Sequence, residues 1–596
     1  MTLMPIQPIA SQHVRLLESM FARRYRLNRQ YMLSLKSENL LQNHYLEAGL
    51  WATLGQPEGI HWGWEAPTCQ LRGHFLGHWL SAAANIYANT GDEEIKGKAD
   101  RIVSELGRCQ AANGGEWAGS IPPNYLDWLA KSKEVWAPHY TIHKTMMGLF
   151  DMAVVTGNEQ ALEILKRWAG WFTRWTSQFT KEQMDDMLEV ETGGMMEAWA
   201  NLYALTGQAE HLELMRMYER RRFFDRLLNE PDALTYQHAN TRIPEVHGAA
   251  RAWEVTGESR YRQVVEAFWR SAVAERGLFC TGGQTECEQW TPPGKLAAHL
   301  GMKNQEHCTV YNMMRLAEYL LRWTGEASYA DYWERNLFNG VMAQQNPKTG
   351  MVAYFLPLRP GAVKEWATPT ESFWCCQATL IQAQTLYPAC IYYEDDQGLV
   401  ISQFISSELN WERDGEKRLV TMKLAGSPQQ QPRMDRLVLN LHIKCDRPAE
   451  FTIKIRLPWW LHGEATVITN GQVQPVSVNQ TGFICIRRTW GDEAVEIELP
   501  KGLHAMALPD ASDIVAFLDG PVVMAGLCDG ETILQVDPGR PEAALTPVYE
   551  LEWYRWRPGY RTQVRPQGIR FIPLYEVQDE PYSVYFYLGP GPNGES

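Results

Sequence analysis

The sequence predicts a multidomain α + β protein, in which an N-terminal α/α toroid of helical hairpins is followed by β-sandwich domains. Up to about residue 388, apolar residues recur at three- and four-residue spacing, as in 306–323, which is typical of packed helices. From residue 389, apolar and polar residues alternate between turn dipeptides, which is typical of strands. The predicted units are a helical domain at 1–388, a β-sandwich at 389–525, and a second small sandwich, or an extension of the first, at 526–596.

A repeated Thr-Gly pair followed by a polar residue predicts the helical hairpins. The pairs are Thr90-Gly91, Thr156-Gly157, Thr206-Gly207, Thr256-Gly257 and Thr324-Gly325. Because glycine accepts the left-handed conformation that ends a helix, and the next polar residue can begin another, each pair predicts a tight link. Such a repeat stacks as an open solenoid or closes as a toroid. Loops rich in Gly, Pro and Trp at 55–68, 113–123 and 282–294 favour the toroid, because they can build a pocket on one face.

The strands of the second half are predicted from alternation and turns. A hairpin is expected at 389–404, turning at Asp396-Gln397-Gly398. Strands are expected at 437–443, 451–457 and 494–499, with a turn at Asn470-Gly471 between them.

Composition narrows the function classes. The chain has 596 residues, with 56 Lys and Arg against 70 Asp and Glu, so its formal charge of −14 argues against nucleic-acid binding. No apolar run reaches membrane-spanning length, and the N-terminus shows no export signal, so we expect a cytoplasmic protein. Eleven cysteines, an odd number, predict reduced thiols rather than disulfides. The sequence leaves a homodimer open.

Cys375-Cys376 is the sharpest local feature. The two residues are interpretable as small buried apolar side chains, or as soft zinc ligands of which one also acts as a nucleophile. Glu306 and Cys308 lie together at a predicted helix N-terminus, where the helix dipole favours anions. Glu306 is also interpretable as an ordinary carboxylate of a first helical turn. Taken together, the four residues supply one oxygen and three sulfurs, which suits tetrahedral zinc.

A Gly-rich loop carries two further carboxylates, Glu286 and Glu288, beside Trp290. A carboxyl group packed on an indole gains pKa by desolvation and can act as a general acid, although most loop glutamates are solvated. Several histidines stand in aromatic or Gly-rich settings, and each is interpretable as a hydrogen-bonded core residue or as part of a polar ring that binds hydroxyl groups: His74, His78, His139, His143 and His238.

In this order, the motifs of nearly the whole chain resemble glycoside hydrolase family 127 (GH127) and its relative family 146. The quoted motifs are LRGHFLGHWLSA, YTIHK, GGMMEAWANLYALTG, HANTRIP, TGGQTECEQW, EHCTVYNMMRLAEYLL, TGMVAYFLPL and ESFWCC. The resemblance implies a six-hairpin (α/α)6 barrel, β-sandwiches, bound zinc, and retaining exo-hydrolysis of β-L-arabinofuranosides or related furanosides in an oligosaccharide or glycoside. No nucleic-acid or membrane partner is expected.

The resemblance also implies residue roles. Glu306, Cys308, Cys375 and Cys376 match the zinc ligands, Cys375 matches the nucleophile, and Glu288, preferred over Glu286, matches the acid/base. Residues that match sugar contacts or lie in matching motifs are His143, His238, Tyr354, His74, Trp64 and Glu191. The chain departs from the pattern at Gln377–Leu380, where relatives carry Gly-Thr-Gly, which leaves the exact sugar open. Two rival functions remain: an (α/α)6-barrel sugar epimerase, and a non-catalytic carbohydrate-binding protein with structural zinc.

Overall fold

The computed structural model describes residues 4–51, 59–425, 435–552 and 555–589. Twelve of its helices form two concentric rings. The inner ring consists of His74–Thr90, Pro138–Thr156, Met195–Thr206, Ala239–Thr256, His307–Thr324 and Cys375–Ala383. The outer ring consists of Met20–Ser34, Glu93–Ala112, Glu159–Thr176, Ala209–Met217, Ser259–Trp269 and Ala327–Asn336. Short helices in the connections are Ser37–Leu40, Gln42–Glu47, Asn124–Ala130, Lys181–Met187 and Arg221–Asn229.

The inner ring is closed, because each inner helix contacts the next and the sixth contacts the first. Inner helices are buried on most faces, whereas outer helices are amphipathic: the outer helix Glu159–Thr176 presents an apolar stripe from Ala161 to Phe172. The arrangement confirms the predicted (α/α)6 barrel. The first residues of the predicted 55–68 loop lie outside the described ranges.

The five Thr-Gly pairs form the links that the sequence predicts. Each glycine follows the last residue of an inner helix with φ between 67° and 74°. Each threonine donates its hydroxyl to the carbonyl oxygen four residues earlier, as Thr256 does to Ala252 at 2.7 Å. Because these tight links all join the C-terminal end of an inner helix to an outer helix, the inner-helix N-termini share the opposite end of the barrel. That end carries the long connections.

The β-rich part contains two large sheets. The first comprises Gln7–Pro8, Val14–Leu16, Tyr392–Glu394, Gly398–Ile401, Ser407–Arg413, Glu416–Leu424, Arg436–Arg456, Thr466–Thr469, Gln472–Gln474 and Phe483–Pro500. The second comprises Leu503–Leu508, Ala511–Asp519, Val522–Gly526, Ile533–Leu534, Leu545–Glu552, Arg555–Thr562, Arg570–Pro573 and Tyr585–Leu588. The predicted hairpin at 389–404 is present as Tyr392–Glu394 paired with Gly398–Ile401.

Hydrogen bonding between strands crosses the predicted bounds at two places, while the division into units itself stays a prediction. Residues 7–16, which the prediction placed in the helical domain, pair with strands of the first sheet: Pro8 faces Tyr393 and Arg15 faces Glu408. Strands between 503 and 526, which the prediction placed in the first sandwich, belong to the second sheet. The strands at 7–16 pair with residues near 393 and 408, which are too far along the chain to leave a local signature. The strands at 503–526 form consecutive hairpins and join the second sheet through Arg570–Pro573 and Tyr585–Leu588. Among the described residues, no helix combines the length and apolar composition needed to cross a membrane.

Candidate active site

Four side chains from two inner helices converge at the N-terminal end of the barrel. Glu306 is the N-cap of the fifth inner helix and Cys308 lies in its first turn, while Cys375 and Cys376 begin the sixth. The sulfurs of Cys308 and Cys376 are 3.5 Å apart, and Cys375 Sγ lies 3.6 Å from Glu306 Oε1. All four ligand atoms lie within 4.8 Å of one another, and all four residues are buried. The two clusters that are separated in sequence therefore form one site.

The cluster fits a metal ion. A tetrahedral ion with zinc-like bond lengths requires sulfur–sulfur separations of about 3.8 Å and sulfur–oxygen separations of about 3.5 Å. The close pairs here span 3.5 to 3.9 Å. Three thiols and one carboxylate are a donor set that soft or borderline divalent ions prefer. The hydroxyl of Thr379 lies 3.3 Å from Cys308 Sγ and also contacts His307 Nδ1, so it can orient this ligand from behind.

Burial sets the protonation of these groups. Burial raises the pKa of Glu306 well above its ordinary value, and it does the same for Cys308 and Cys376. Burial acts in the same direction on Cys375, but its hydrogen bonds with Cys308, Cys376 and Tyr354 outweigh it and bring the pKa of Cys375 well below its ordinary value. Cys375 is therefore the thiol of this cluster that most favours the reactive thiolate form.

A tight hairpin presents Glu288 above the cluster. Its strands, Thr285–Glu286 and Gln289–Trp290, are joined by Cys287 and Glu288, which both have positive φ, 48° and 66°. This two-residue turn places Glu288 at the tip. Glu286 lies apart from the cluster, with Oε2 2.8 Å from His299 Nδ1. The geometry thus distinguishes the two carboxylates that the sequence left in competition.

Tyr354 connects Glu288 to Cys375. Its hydroxyl donates to Glu288 Oε1 at 2.5 Å and lies 3.4 Å from Cys375 Sγ. The carboxylate and the sulfur therefore lie within about 6 Å of each other, with the tyrosine oxygen between them. His238 Nε2 lies 3.4 Å from the other carboxylate oxygen, Oε2. The hydrogen bonds with His238 and Tyr354 lower the pKa of Glu288 below its ordinary value, although burial opposes them.

Two of the predicted sugar-contacting histidines lie toward the N-terminal ends of inner helices. His238 caps the fourth inner helix, since its Nδ1 accepts the Thr241 N–H at 3.1 Å. His143 is buried in the second inner helix, and its Nδ1 has no hydrogen-bond partner among the described residues. Gly193 and Gly194 pack against its ring, where a Cβ on Gly194 would come within 2.7 Å of Nε2. The double glycine therefore leaves space for this ring.

The remaining predicted residues surround the same region. His74 Nε2 contacts the Phe373 carbonyl at 2.9 Å, which places the first inner helix against the segment that leads to Cys375. The ring of Trp64 lies 6.1 Å from that of His74 and 6.3 Å from that of Tyr354. Glu191 accepts from Asn240 at 3.4 Å, and burial raises its pKa to about 7.

Tyr140 is a residue that the sequence analysis did not single out. It is buried, its ring centroid lies 5.9 Å from that of His74, and its hydroxyl has no hydrogen-bond partner in the described part of the chain. Its position in YTIHK, three residues before His143, was the available signal. With His143 it supplies unpaired polar atoms that can accept or donate to sugar hydroxyls.

At Gln377–Leu380, where the sequence departs from the family pattern, the side chains of Gln377 and Thr379 pack into the barrel wall. Gln377 Nε2 donates to the Tyr31 hydroxyl at 2.7 Å and to the Thr368 carbonyl at 3.0 Å. Thr379 supports Cys308 as described above. The side chains that replace glycines are thus anchored to an outer helix and to the cluster, and both residues are buried.

Two family models match most of the chain. The family model of the β-L-arabinofuranosidase GH127 catalytic domain matches residues 13–389, and that of the GH127 middle domain matches residues 398–501. The non-reducing end β-L-arabinofuranosidase of Bifidobacterium longum subsp. longum is 24% identical over 514 residues, which cover 75% of this chain and 74% of that protein.

Solved structures share the fold over nearly the full length. A GH127 β-arabinofuranosidase superposes with a TM-score of 0.74 at 16% identity and covers 98% of both chains. A GH127 β-L-arabinofuranosidase from Geobacillus stearothermophilus T6 superposes with a TM-score of 0.71 at 17% identity, covering 97% of this chain and 100% of that one. At these identities the likeness shows a common architecture.

Proposed function

Because the chain belongs to the GH127 family of β-L-arabinofuranosidase glycoside hydrolases, we propose that it is a retaining exo-glycosidase. It releases terminal β-L-arabinofuranosyl residues, or closely related furanosyl residues, from an oligosaccharide or glycoside. Cys375 is the nucleophile and Glu288 is the acid/base. The roles of these two residues are proposals that rest on their geometry and on the family resemblance.

The Tyr354 bridge is the observation that carries this proposal. In retaining glycosidases the two catalytic groups stand about 5–5.5 Å apart, whereas inverting enzymes separate them by about 6.5–9.5 Å to admit a water molecule. Cys375 Sγ and Glu288 Oε1 share one hydroxyl, at 3.4 and 2.5 Å, so their separation favours the retaining class. Glu286 has no comparable contact with the cluster.

Two steps follow from these positions. In the first, protonated Glu288 donates its proton to the glycosidic oxygen, Cys375 Sγ attacks the anomeric carbon, and the carbon–oxygen bond breaks as a carbon–sulfur bond forms. In the second, Glu288 accepts a proton from water, the water oxygen attacks the same carbon, and the sulfur leaves as thiolate. Two displacements at one carbon retain its configuration.

Zinc is the proposed ion for the cluster, held by Glu306, Cys308, Cys375 and Cys376. Bound there, it would supply positive charge that keeps Cys375 deprotonated at neutral pH. Tyr354 holds Glu288 near the sulfur, and His238 holds its other oxygen. His143 and Tyr140 offer unpaired polar atoms to sugar hydroxyls, and His74, Trp64 and Glu191 complete the pocket wall.

The decisive experiment is p-nitrophenol release from p-nitrophenyl β-L-arabinofuranoside by zinc-loaded enzyme. We expect Cys375→Ala and Glu288→Gln to lower kcat by about a thousandfold or more, as loss of a catalytic nucleophile or acid does. Matched controls are Cys109→Ala, a buried thiol far from the cluster in sequence, and Glu286→Gln, on the same hairpin. Both controls should retain near-wild-type turnover. NMR should show the β-anomer as first product, and elemental analysis should find one zinc per wild-type chain.

Other outcomes would redirect the assignment. Full turnover by Cys375→Ala would exclude the thiol nucleophile. A sugar isomer formed without glycosidic cleavage would favour the epimerase, and oligosaccharide binding without cleavage, unaffected by Glu288→Gln, would favour the non-catalytic binding protein. The homodimer and the cytoplasmic location stay predictions, which light scattering and cell fractionation can test.

A further inference from the structure

Three aromatic side chains are largely exposed, whereas the other described Trp, Tyr and Phe side chains are buried or partly buried. The chain has 24 Trp, 25 Tyr and 18 Phe. Among the side chains that the structure describes, only Trp62, Trp136 and Tyr236 are largely exposed, at 53%, 47% and 60%. Exposed indoles and phenols cost hydrophobic free energy unless something covers them, so their shared location is informative.

All three lie at the end of the barrel that holds the cluster. Trp62 lies on the segment before the first inner helix, with its N–H donated to the Thr370 carbonyl at 3.1 Å, close to the approach to Cys375. Trp136 precedes the second inner helix by two residues. Tyr236 lies two residues before His238, the N-cap of the fourth. We call these three residues the aromatic rim.

Tyr236 is coupled to the hairpin that carries Glu288. Its N–H is donated to the Trp290 carbonyl at 3.0 Å, and the Glu288 carbonyl accepts the Ala239 N–H at 2.7 Å. Tyr236 also has a φ of 61°, a conformation that a tyrosine adopts only when its surroundings impose it. The backbone thus holds an exposed aromatic ring beside the proposed acid.

Trp136 lines a surface groove and also contacts Trp64 of the site. Its ring lies 5.1 Å from that of Trp64, which in turn lies 6.3 Å from Tyr354. The groove beside it has a volume of about 750 Å³, and its lining mixes apolar Phe179 with Gln70, Gln183 and Asp186. An aromatic face with nearby amide and carboxylate groups suits a ring that carries hydroxyls.

We propose that the aromatic rim binds the sugar units on the leaving-group side of an oligosaccharide substrate. This inference rests on the proposed function and specifies its substrate class. The cluster is buried at the pocket floor, so the terminal furanosyl unit that reacts there must be the innermost one. Glu288, the proposed acid, has a side chain that is 32% exposed, so it stands nearer to solvent than the buried cluster. The remaining sugars must therefore leave through the mouth that the rim surrounds.

The test compares two substrates of one enzyme: methyl β-L-arabinofuranoside and a β-L-arabinofuranosyl trisaccharide. The methyl glycoside lacks the sugars that would stack, so the ratio of the two kcat/KM values isolates their contribution. We expect Trp62→Ala, Trp136→Ala and Tyr236→Ala each to lower the trisaccharide-to-methyl ratio about tenfold. Tyr236→Phe and Trp136→Tyr, which keep an aromatic face, should restore most of it. Val473→Ala, an exposed apolar residue of the first sheet, is the matched control.

A ratio within twofold of wild type in all three alanine variants would overturn the proposal. If the ratio is unchanged and light scattering shows that the alanine variants have a lower molecular mass than the wild type, the proposal is overturned, and the rim is instead a self-association surface. If the wild type cleaves neither substrate, the proposed function fails, and calorimetric titration with the trisaccharide still decides the inference. Binding to the wild type that the rim variants lose supports it, and no binding to the wild type overturns it.

Discussion

At the scale of single residues, strained backbone marks the site. Among the described residues, nine that are not glycine have positive φ, and two of these, Asp414 and Asn470, lie in turns of the β-rich part. The other seven lie on connections at the cluster end of the barrel: Ser132, Ala137, Tyr236, Cys287, Glu288, Gln305 and Phe373. Each such conformation costs about 1–2 kcal/mol. Gln305 immediately precedes Glu306, and Phe373 lies two residues before Cys375, so the strain helps to aim the residues that follow.

The contact between His238 and Glu288 predicts a pH effect. This hydrogen bond lowers the pKa of Glu288, so its loss should raise that pKa and keep the general acid protonated to higher pH. We therefore expect His238→Asn to move the basic limb of the kcat/KM profile to higher pH. Asparagine can still cap the fourth inner helix, so the melting temperature should change little. A basic limb that stays in place or moves to lower pH would contradict the proposed acid role.

At the scale of elements, glycines set how closely inner helices approach. Gly77 of the first inner helix would place a Cβ 1.8 Å from the Lys144 carbonyl oxygen, and Gly148 of the second would place one 2.4 Å from the Gly77 oxygen. These contacts are with backbone, which cannot move aside as a flexible side chain can. Close approach of these two helices in turn brings His74 and His143 to the same pocket.

Replacing each of two helical glycines with alanine should change the free energy of unfolding in opposite directions. Gly77→Ala should lower stability by about 3 kcal/mol, because the new methyl overlaps backbone. Gly97→Ala, in the outer helix Glu93–Ala112, meets nothing nearer than 3.7 Å and should raise stability by about 1 kcal/mol through helix propensity. Thermal melting of the two variants measures both effects. A Gly77→Ala protein as stable as the wild type would show that the helices can separate without cost.

At the scale of the whole molecule, the barrel and the first sheet share buried contacts. Strands at 7–8 and 14–16 join the sheet before the first outer helix begins. Arg456, fully buried on a long strand of that sheet, donates to Glu334 Oε1 at 2.6 Å and contacts Asp331, both on the last outer helix. Trp460 donates to the other oxygen of Glu334 at 2.8 Å. The sheet is therefore attached to the barrel by paired, buried charge.

Replacing Arg456 should lower the free energy of unfolding of the protein. Arg456→Met leaves two carboxylates without their partner and should cost about 3–5 kcal/mol of stability. Arg487→Met is the matched control, since Arg487 lies on a strand of the same sheet but is exposed and pairs with Glu450 only at 3.5 Å. Urea denaturation should show a large loss for the first variant and little change for the second. Equal effects would mean that the buried pairing does not hold the junction.

The sequence by itself determined most of the helices and strands, and it supplied the candidate metal ligands of the cluster. Helical periodicity and the Thr-Gly links predicted the hairpin repeat, because helix ends are local events that depend on a few neighbouring residues. Alternation predicted the strands of the β-rich part for the same reason. The ordered motifs indicated the family, and the match over residues 13–389 confirmed it. The roles of Cys375, Glu288 and the sugar-contacting residues stay predictions.

Only the tertiary structure decided which distant residues meet. Glu306 and Cys308 approach Cys375 and Cys376 because ring closure brings the fifth and sixth inner helices together, and no local pattern encodes that contact. Glu286 lies on a strand of the hairpin, whereas Glu288 lies in its two-residue turn with a positive φ. This turn gives the two carboxylates separate environments. The strands at 7–16 reach the first sheet only through residues near 393 and 408, and those at 503–526 join the second sheet through strands at 570–588. The aromatic rim is likewise assembled from three separate connections at the barrel mouth, and local periodicity does not encode which connections meet.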